Sequence, residues 1–325
     1  MELYQLAPEP LSLMMSYVIK TDGGKIIIID GGIDGHGKWN KTYIEAAVRA
    51  ILDLSDGDYF EIEAWFLTHI HMDHYLELGK LLNGYNDASN FKINNIYFDF
   101  PPLREAVDGW ESPAGPNDSK EEELRYFKDA LSHYAEVTGE ERFTYQRLNG
   151  SIINRENIEK GLTLTIDDVS FEFFDTWQRD AKCVNSTSII FKAVSKGKSL
   201  LFVGDTYIDN GDRALERYGA GALKADYIQL GHHGQNGPSE RFYKALIDDN
   251  TVRLWPTPVW VWSVYNAQNG IKTDVTRGWL GLPQNYEGLT NTKKDIVAGL
   301  YEKFPEDPSK TECWTKEILS EQRIF

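Results

Sequence analysis

The sequence predicts an α/β fold: two β-sheets packed together, helices on their outer faces, and a single domain over residues 1–325. Three observations predict it. Short, wholly apolar runs such as Ile26-Ile27-Ile28-Ile29 and Leu200-Leu201-Phe202-Val203 read as strands buried on both faces. Segments with helical spacing of apolar residues lie between such runs. Each half of the chain begins with strands and continues with alternating helices.

The elements follow in order. Residues 16–20 and 25–30 flank Gly23-Gly24 and read as a hairpin, which Gly31-Gly32 then breaks. Residues 41–54 carry Tyr43, Ala47, Ala50, Ile51 and Leu54 at helical spacing and stop at Asp56-Gly57. A buried strand at 63–68 leads into a loop, then a helix at 76–82 and a strand at 93–98. Residues 101–145 are Pro-rich at first, then acidic and helical over 121–137, and read as a helical insertion over or beside the core. The second half gives strands at 162–166, 169–174, 187–193, 199–203, 227–230 and 259–264, with helices at 211–218, 239–248 and 293–303.

Composition bounds the function. Apolar content of 41% and charged content of 26% are those of a globular protein. The two cysteines, Cys183 and Cys313, form neither a metal spacing nor a disulfide framework, so a reducing, cytoplasmic compartment is expected. Leu11 to Met15 is too short an apolar run for a signal peptide or a membrane span, so no membrane association is expected. A net charge of −16 repels polyphosphate backbones and disfavours long nucleic acid as a partner, leaving a small-molecule substrate.

The chemistry is concentrated in Thr68-His69-Ile70-His71-Met72-Asp73-His74, which holds three of the seven histidines in the chain. His69 and His71, two apart in extended chain, face the same way and can hold one cation. Asp73 and His74 follow as the chain turns and can hold a second. Imidazole and carboxylate suit zinc first, with manganese or iron as alternatives. Downstream, a strand ends in Gly204-Asp205, where a carboxylate can bridge two cations or serve as an ordinary turn residue. Another strand ends in Gly231-His232-His233-Gly234. Successive side chains diverge, so one imidazole is expected to ligate. His232 is favoured, with His233 supporting it or touching substrate. Asp30, at its own strand end, can orient a ligating histidine.

Together these residues resemble the metallo-β-lactamase superfamily. Asp30-Gly31-Gly32 looks like its first motif, His69-x-His71-x-Asp73-His74 its second, Asp205 its fourth, and His232 or His233 its fifth. The resemblance implies an αβ/βα four-layer sandwich of two mixed sheets with the site at one edge. It also implies a departure, because the family usually supplies a third histidine to the first metal, and residues 183–188 contain none. Asn185 and Ser186 stand there instead. This pattern is similar to a branch that includes the competence DNA-uptake metallo-hydrolase domain and phosphorylcholine esterases. His36, in the glycine-rich loop after Asp30, is a further candidate ligand or substrate contact.

The expected function is therefore a metal-dependent hydrolase with two divalent ions. A metal-held hydroxide, oriented by Asp73, would attack a small phosphodiester. Hydrolysis of a lactone, thioester or β-lactam is the alternative, as is a sensor module that binds metal with weak turnover. Trp255, Trp260, Trp262, Tyr265 and Trp279 could form an aromatic wall, though such residues more often belong to a core.

Overall fold

The structure is a computed structural model that describes residues 1–6, 15–32, 43–55, 57–87, 90–102, 121–140, 152–256, 279–280 and 294–298. Its first sheet contains β1 (Glu2–Gln5), β2 (Tyr17–Lys20), β3 (Ile26–Ile29), β4 (Phe60–Phe66), β5 (Phe91–Ile93) and β6 (Ile96–Tyr97). The order is β1-β2-β3-β4-β5, with β6 paired to β4. The second sheet contains β7 (Thr163–Ile166), β8 (Val169–Asp175), β9 (Ile190–Ser195), β10 (Lys198–Phe202), β11 (Tyr227–Gln229), β12 (Val252–Trp255) and β13 (Asp295–Val297). Its order is the reverse of the chain, β13 through β7. Both sheets are mixed: β1-β2-β3 and β7-β8-β9-β10 pair antiparallel, whereas β3-β4 and β10-β11-β12-β13 pair parallel.

Period-two burial decides which side of each strand meets which layer. Tyr17, Ile19, Ile27, Ile29, Ala64 and Phe66 face Phe171, Phe173, Phe191, Leu200 and Phe202 of the other sheet. Each fully buried phenylalanine there contributes about 1.5–3 kcal/mol from removal of its surface from water. The alternate residues of the first sheet, Val18, Ile26, Ile28, Ile62 and Trp65, pack on α1 (Tyr43–Leu52), α2 (Met72–Asn83) and α3 (Glu121–Thr138). Those of the second sheet, Ile190, Leu201, Val203 and Ile228, pack on α5 (Ile208–Leu223) and α6 (Glu240–Leu246). A short α4 (Arg155–Glu159), capped by the Asn154 side chain, precedes β7. The four layers are thus helix, sheet, sheet, helix. No helix among the described residues is long and apolar enough to cross a membrane.

Two expectations change. The segment read as a helix over 293–303 begins instead with β13, whose Asp295, Ile296 and Val297 pair with Arg253, Leu254 and Trp255. Asp295 accepts hydrogen bonds from the Arg253 guanidinium at 2.6 Å and the Trp255 indole N–H at 2.9 Å, long-range partners that outweigh local helical spacing. Strands β1 and β12 were not expected at all. The helix expected within 101–145 is α3. Its Leu124, Phe127, Leu131 and Tyr134 are buried against the first sheet and α2, so it is part of that helical layer. The strand expected at 259–264 lies outside the described residues.

Candidate metal centre

Strand β4 delivers its C-terminal end to the edge of the sandwich, and the floor of the site is Thr68. The buried Asp30 carboxylate accepts the Thr68 amide at 2.7 Å and the Thr68 hydroxyl at 2.9 Å. It also accepts His74 Nδ1–H at 2.9 Å, which turns His74 Nε2 outward as the free donor atom. The Thr68 hydroxyl, having given its proton to Asp30, accepts from His69 Nδ1 at 3.1 Å and so turns His69 Nε2 the same way. Asp30 holds left-handed backbone (φ 54°) to do this, and the amides of Gly31 and Gly32 donate to the His74 carbonyl at 2.6 and 3.2 Å. Helix α2 therefore starts where the cluster needs it, with His71 as its N-cap and Asp73 in its first turn.

The second sheet brings the opposing carboxylate. The amides of Val203 and Gly204 donate to the buried Gln229 side-chain carbonyl, Oε1, at 2.8 Å each, which fixes the end of β10 against β11. Gly204 has φ 55°, and a Cβ there would lie 2.8 Å from Thr68 Cβ, so both backbone and space exclude a side chain. Asp205 then projects beneath the imidazoles, its amide donating to Ser188 Oγ at 3.1 Å.

Two groups of ligand atoms result, each with all members within 4.8 Å of one another: His69, His71 and Asp205, and Asp73, His74, Asp205 and His233. Asp205 belongs to both. Its Oδ1 lies 3.2 Å from His74 Nε2, and its Oδ2 lies 3.8 Å from His69 Nε2 and 3.4 Å from His233 Nε2. His233 Nε2 is also 3.0 Å from Asp73 Oδ2. His69, His74 and Asp205 are buried to 0%, 0% and 1% exposure.

The residues fit a divalent cation on three counts. The donor set is imidazole and carboxylate throughout. His69 Nε2 and His71 Nδ1 face each other at 3.0 Å, close to the roughly 3.3 Å separation of two nitrogens on a tetrahedral zinc. His74 Nε2 and Asp205 Oδ1 are buried, 3.2 Å apart and out of line for a good hydrogen bond with each other, an arrangement that a cation between them would relieve.

The charges say the same. Burial opposes the charged forms, yet Asp205, Asp30 and Asp73 raise His74 well above its ordinary range, and Asp205 and Asp73 push His233 up to about 9. Burial would raise the Asp73 and Asp205 carboxyls too, but His74 and His233 hold both below the usual carboxylate range. Burial keeps the Asp30 carboxyl raised despite His74. His69, desolvated and beside His74 and His71, is held well below its ordinary value and so presents a neutral nitrogen. Protons thus occupy the positions where a cation's charge would be welcome.

One placement corrects the sequence reading. His233, not His232, joins the carboxylates. Both residues adopt left-handed backbone (φ 49° and 58°), which reverses the expected order of their side chains. His232 instead directs Nδ1 to the Asn236 carbonyl at 2.5 Å. Asn185 and Ser186 lie in a 3₁₀ turn, Asn185–Thr187, tied to the site where the Ile189 amide donates to the Thr68 carbonyl at 3.0 Å. Asn185 Oδ1 is buried without a hydrogen bond, and Ser186 Oγ donates to Asp209 at 2.6 Å. His36, Trp260, Trp262 and Tyr265 lie outside the described residues. Trp255 is buried against α5 and α6, and Trp279 packs on the same cluster. Sequence reasoning missed Thr68, Ser188 and Gln229. The glutamine carried a signal, a polar residue inside the apolar run Tyr227-Ile228-Gln229-Leu230.

A family model described as the metallo-beta-lactamase superfamily matches residues 15–251. Solved structures similar to this chain include the short form of human tRNase Z, at 17% identity and TM-score 0.38, over 78% of this chain and 91% of that one. The metallo-beta-lactamase fold protein YhfI from Bacillus subtilis is 12% identical with TM-score 0.38, over 75% and 81%. The MIM-2 metallo-beta-lactamase is 14% identical with TM-score 0.36, over 75% and 79%. Likeness at this level carries no argument about activity. No curated protein matches the chain.

Proposed function

Because the chain belongs to the metallo-beta-lactamase superfamily, we propose that it is a hydrolase that holds two divalent ions, zinc first, and cleaves a small phosphodiester. The observation that carries the reading is the sharing of Asp205 between two groups of ligand atoms. His69, His71 and Asp205 would hold one ion, and Asp73, His74, Asp205 and His233 the other. Asn185 supports completion of the first sphere, since its buried Oδ1 lacks a hydrogen bond and stands in the turn tied to Thr68. What bound cations supply is water ionised near neutral pH, and positive charge against the substrate's oxygens.

The protein's own residues do the rest. Asp30 and Thr68 fix which nitrogen of His69 and His74 is left to hold a cation. In this reading Asp73, partly exposed and 3.0 Å from His233, orients the attacking water and takes its proton. The small size of the substrate rests on the net charge of −16, which repels a long polyanion.

The test is elemental analysis of protein reloaded with zinc or manganese, followed by assay on bis(4-nitrophenyl) phosphate. Two ions per chain and turnover are expected. Turnover of a lactone or thioester probe alone would replace the phosphodiester. Uptake of two ions with no turnover of any probe would make the protein a binding module, and no stoichiometric uptake would end the reading.

A further inference from the structure

A cavity of about 700 Å³ is lined by Asp99, Phe100, Arg155, Trp177, Arg179 and Arg213 among others. Two of its walls are built from segments that lead from the residues around Thr68. Strand β6 runs parallel to β4, with Phe66 opposite Tyr97, and the Leu67 amide donates to the Tyr97 carbonyl at 2.9 Å. Phe66 and Tyr97 stack at 4.9 Å between the sheets. Thr68 and Asp99 each follow two residues after this last pair, and strand alternation directs both side chains to the inner face. Thr68 is the residue on which Asp30, His69 and His74 hang.

The other wall comes from the second sheet. Asp175, the last residue of β8, pairs with Ile190 of β9, and Ile189 is bonded to Thr68. The next residue, Thr176, donates its hydroxyl to Asp99 Oδ2 at 2.9 Å. Asp99 makes no other hydrogen bond among the described residues, and its carboxyl is partly open to the cavity. Burial pushes that carboxyl up to about 7, against the lowering effect of Thr176. A carboxyl of this kind carries a proton for part of the time at neutral pH and can give it away.

We propose that this cavity receives the departing part of the substrate, and that Asp99 is the catalytic residue that protonates the leaving oxygen. The assignment rests on the hydrolase reading above. In the step, the oxygen of water joins phosphorus and the bond from phosphorus to the ester oxygen breaks, its electron pair staying on that oxygen. The oxygen takes the Asp99 proton and departs as an alcohol. Water's surplus proton passes to solvent through Asp73, and Asp99 regains one from solvent, so that one water is consumed. The lining fits an alcohol with both a flat apolar face, against Trp177 and Phe100, and hydrogen-bonding groups. Arg213 is held by the buried Asp175 at 2.8 Å, which presents a fixed guanidinium edge to such groups, and Arg155 pairs with Glu159 at 2.8 Å on the surface. Glu156 and Asp180 complete the charged groups that face the cavity.

The test uses two symmetric diesters with the zinc-loaded full chain: bis(4-nitrophenyl) phosphate, whose leaving group needs no proton, and diphenyl phosphate, whose leaving group does. Asp99→Asn is expected to lower kcat on diphenyl phosphate by about 10²–10⁴-fold, and on the nitrophenyl ester by less than about tenfold. Its zinc content should be unchanged. The alkaline fall of the diphenyl phosphate rate above about pH 7 should vanish in the variant. Thr176→Val, which removes a hydrogen bond to the ionised carboxyl, should move that fall to higher pH. Equal losses on both esters, no loss, or no shift with Thr176→Val would each overturn the assignment while leaving the hydrolase reading standing. Failure of the unaltered protein on both esters would remove the phosphodiester reading, and the assignment with it.

Discussion

At the scale of single residues, Asp30 is the hinge of the site, because its two oxygens settle the tautomers of two histidines through Thr68. Asp30→Asn is isosteric but reverses that logic. An amide N–H facing His74 Nδ1 forces the imidazole proton onto Nε2, the atom that would ligate. Zinc affinity should fall by roughly 10–100-fold, measured by competition with a chromophoric chelator. Unchanged affinity would show that Asp30 merely fills its turn. His69, His71, Asp73 and His74 were legible because they are neighbours in sequence and their geometry is local. The choice between His232 and His233 was not legible, since it turns on two left-handed backbone conformations at non-glycine residues. Asp99 gave no signal beyond its place in Phe98-Asp99-Phe100, because its meaning comes from Thr176 in the other sheet.

At the scale of elements, the parallel edge of the second sheet shows where reading failed and why. Residues 293–303 carry helical spacing, but Asp295 has partners 42 and 40 positions away in Arg253 and Trp255. Cutting that link should therefore release β13. Asp295→Ala leaves the buried Trp255 N–H without its acceptor and should cost about 1–3 kcal/mol in urea denaturation. A loss below a few tenths would mean that β13 is held by its backbone ladder alone. By contrast β3, β4, β8 and β10 were readable, because strands buried on both faces are apolar throughout and no competing period exists. Helix α3 was legible as a helix, but not as part of the first helical layer, since its apolar face meets residues distant in sequence and the buried Tyr134 hydroxyl bonds both the Ile93 amide and carbonyl.

At the scale of the whole molecule, electrostatics links the site to folding. His233 is raised to about 9 in the folded, metal-free protein, against 6.5 when unfolded. Its contribution to stability is therefore fully present below about pH 6.5 and is lost as pH rises through about 9. Asp73 and Asp205, both lowered, contribute above about pH 4 and lose that contribution on acidification. Denaturation midpoints of the metal-free protein should decline between pH 7 and 10, and zinc should abolish the decline by replacing the protons. Binding near pH 7 should release protons, seen as a buffer-dependent heat in calorimetry, and a buffer-independent heat would contradict the charge assignment.

The shared position of Asp205 has one more consequence. Both its oxygens turn about a single torsion, so if two cations share it as proposed, withdrawing one would free the carboxylate to rotate away from the other. Stripping by a chelator should then proceed as one steep, all-or-none event, with the half-loaded species scarcely populated along the way.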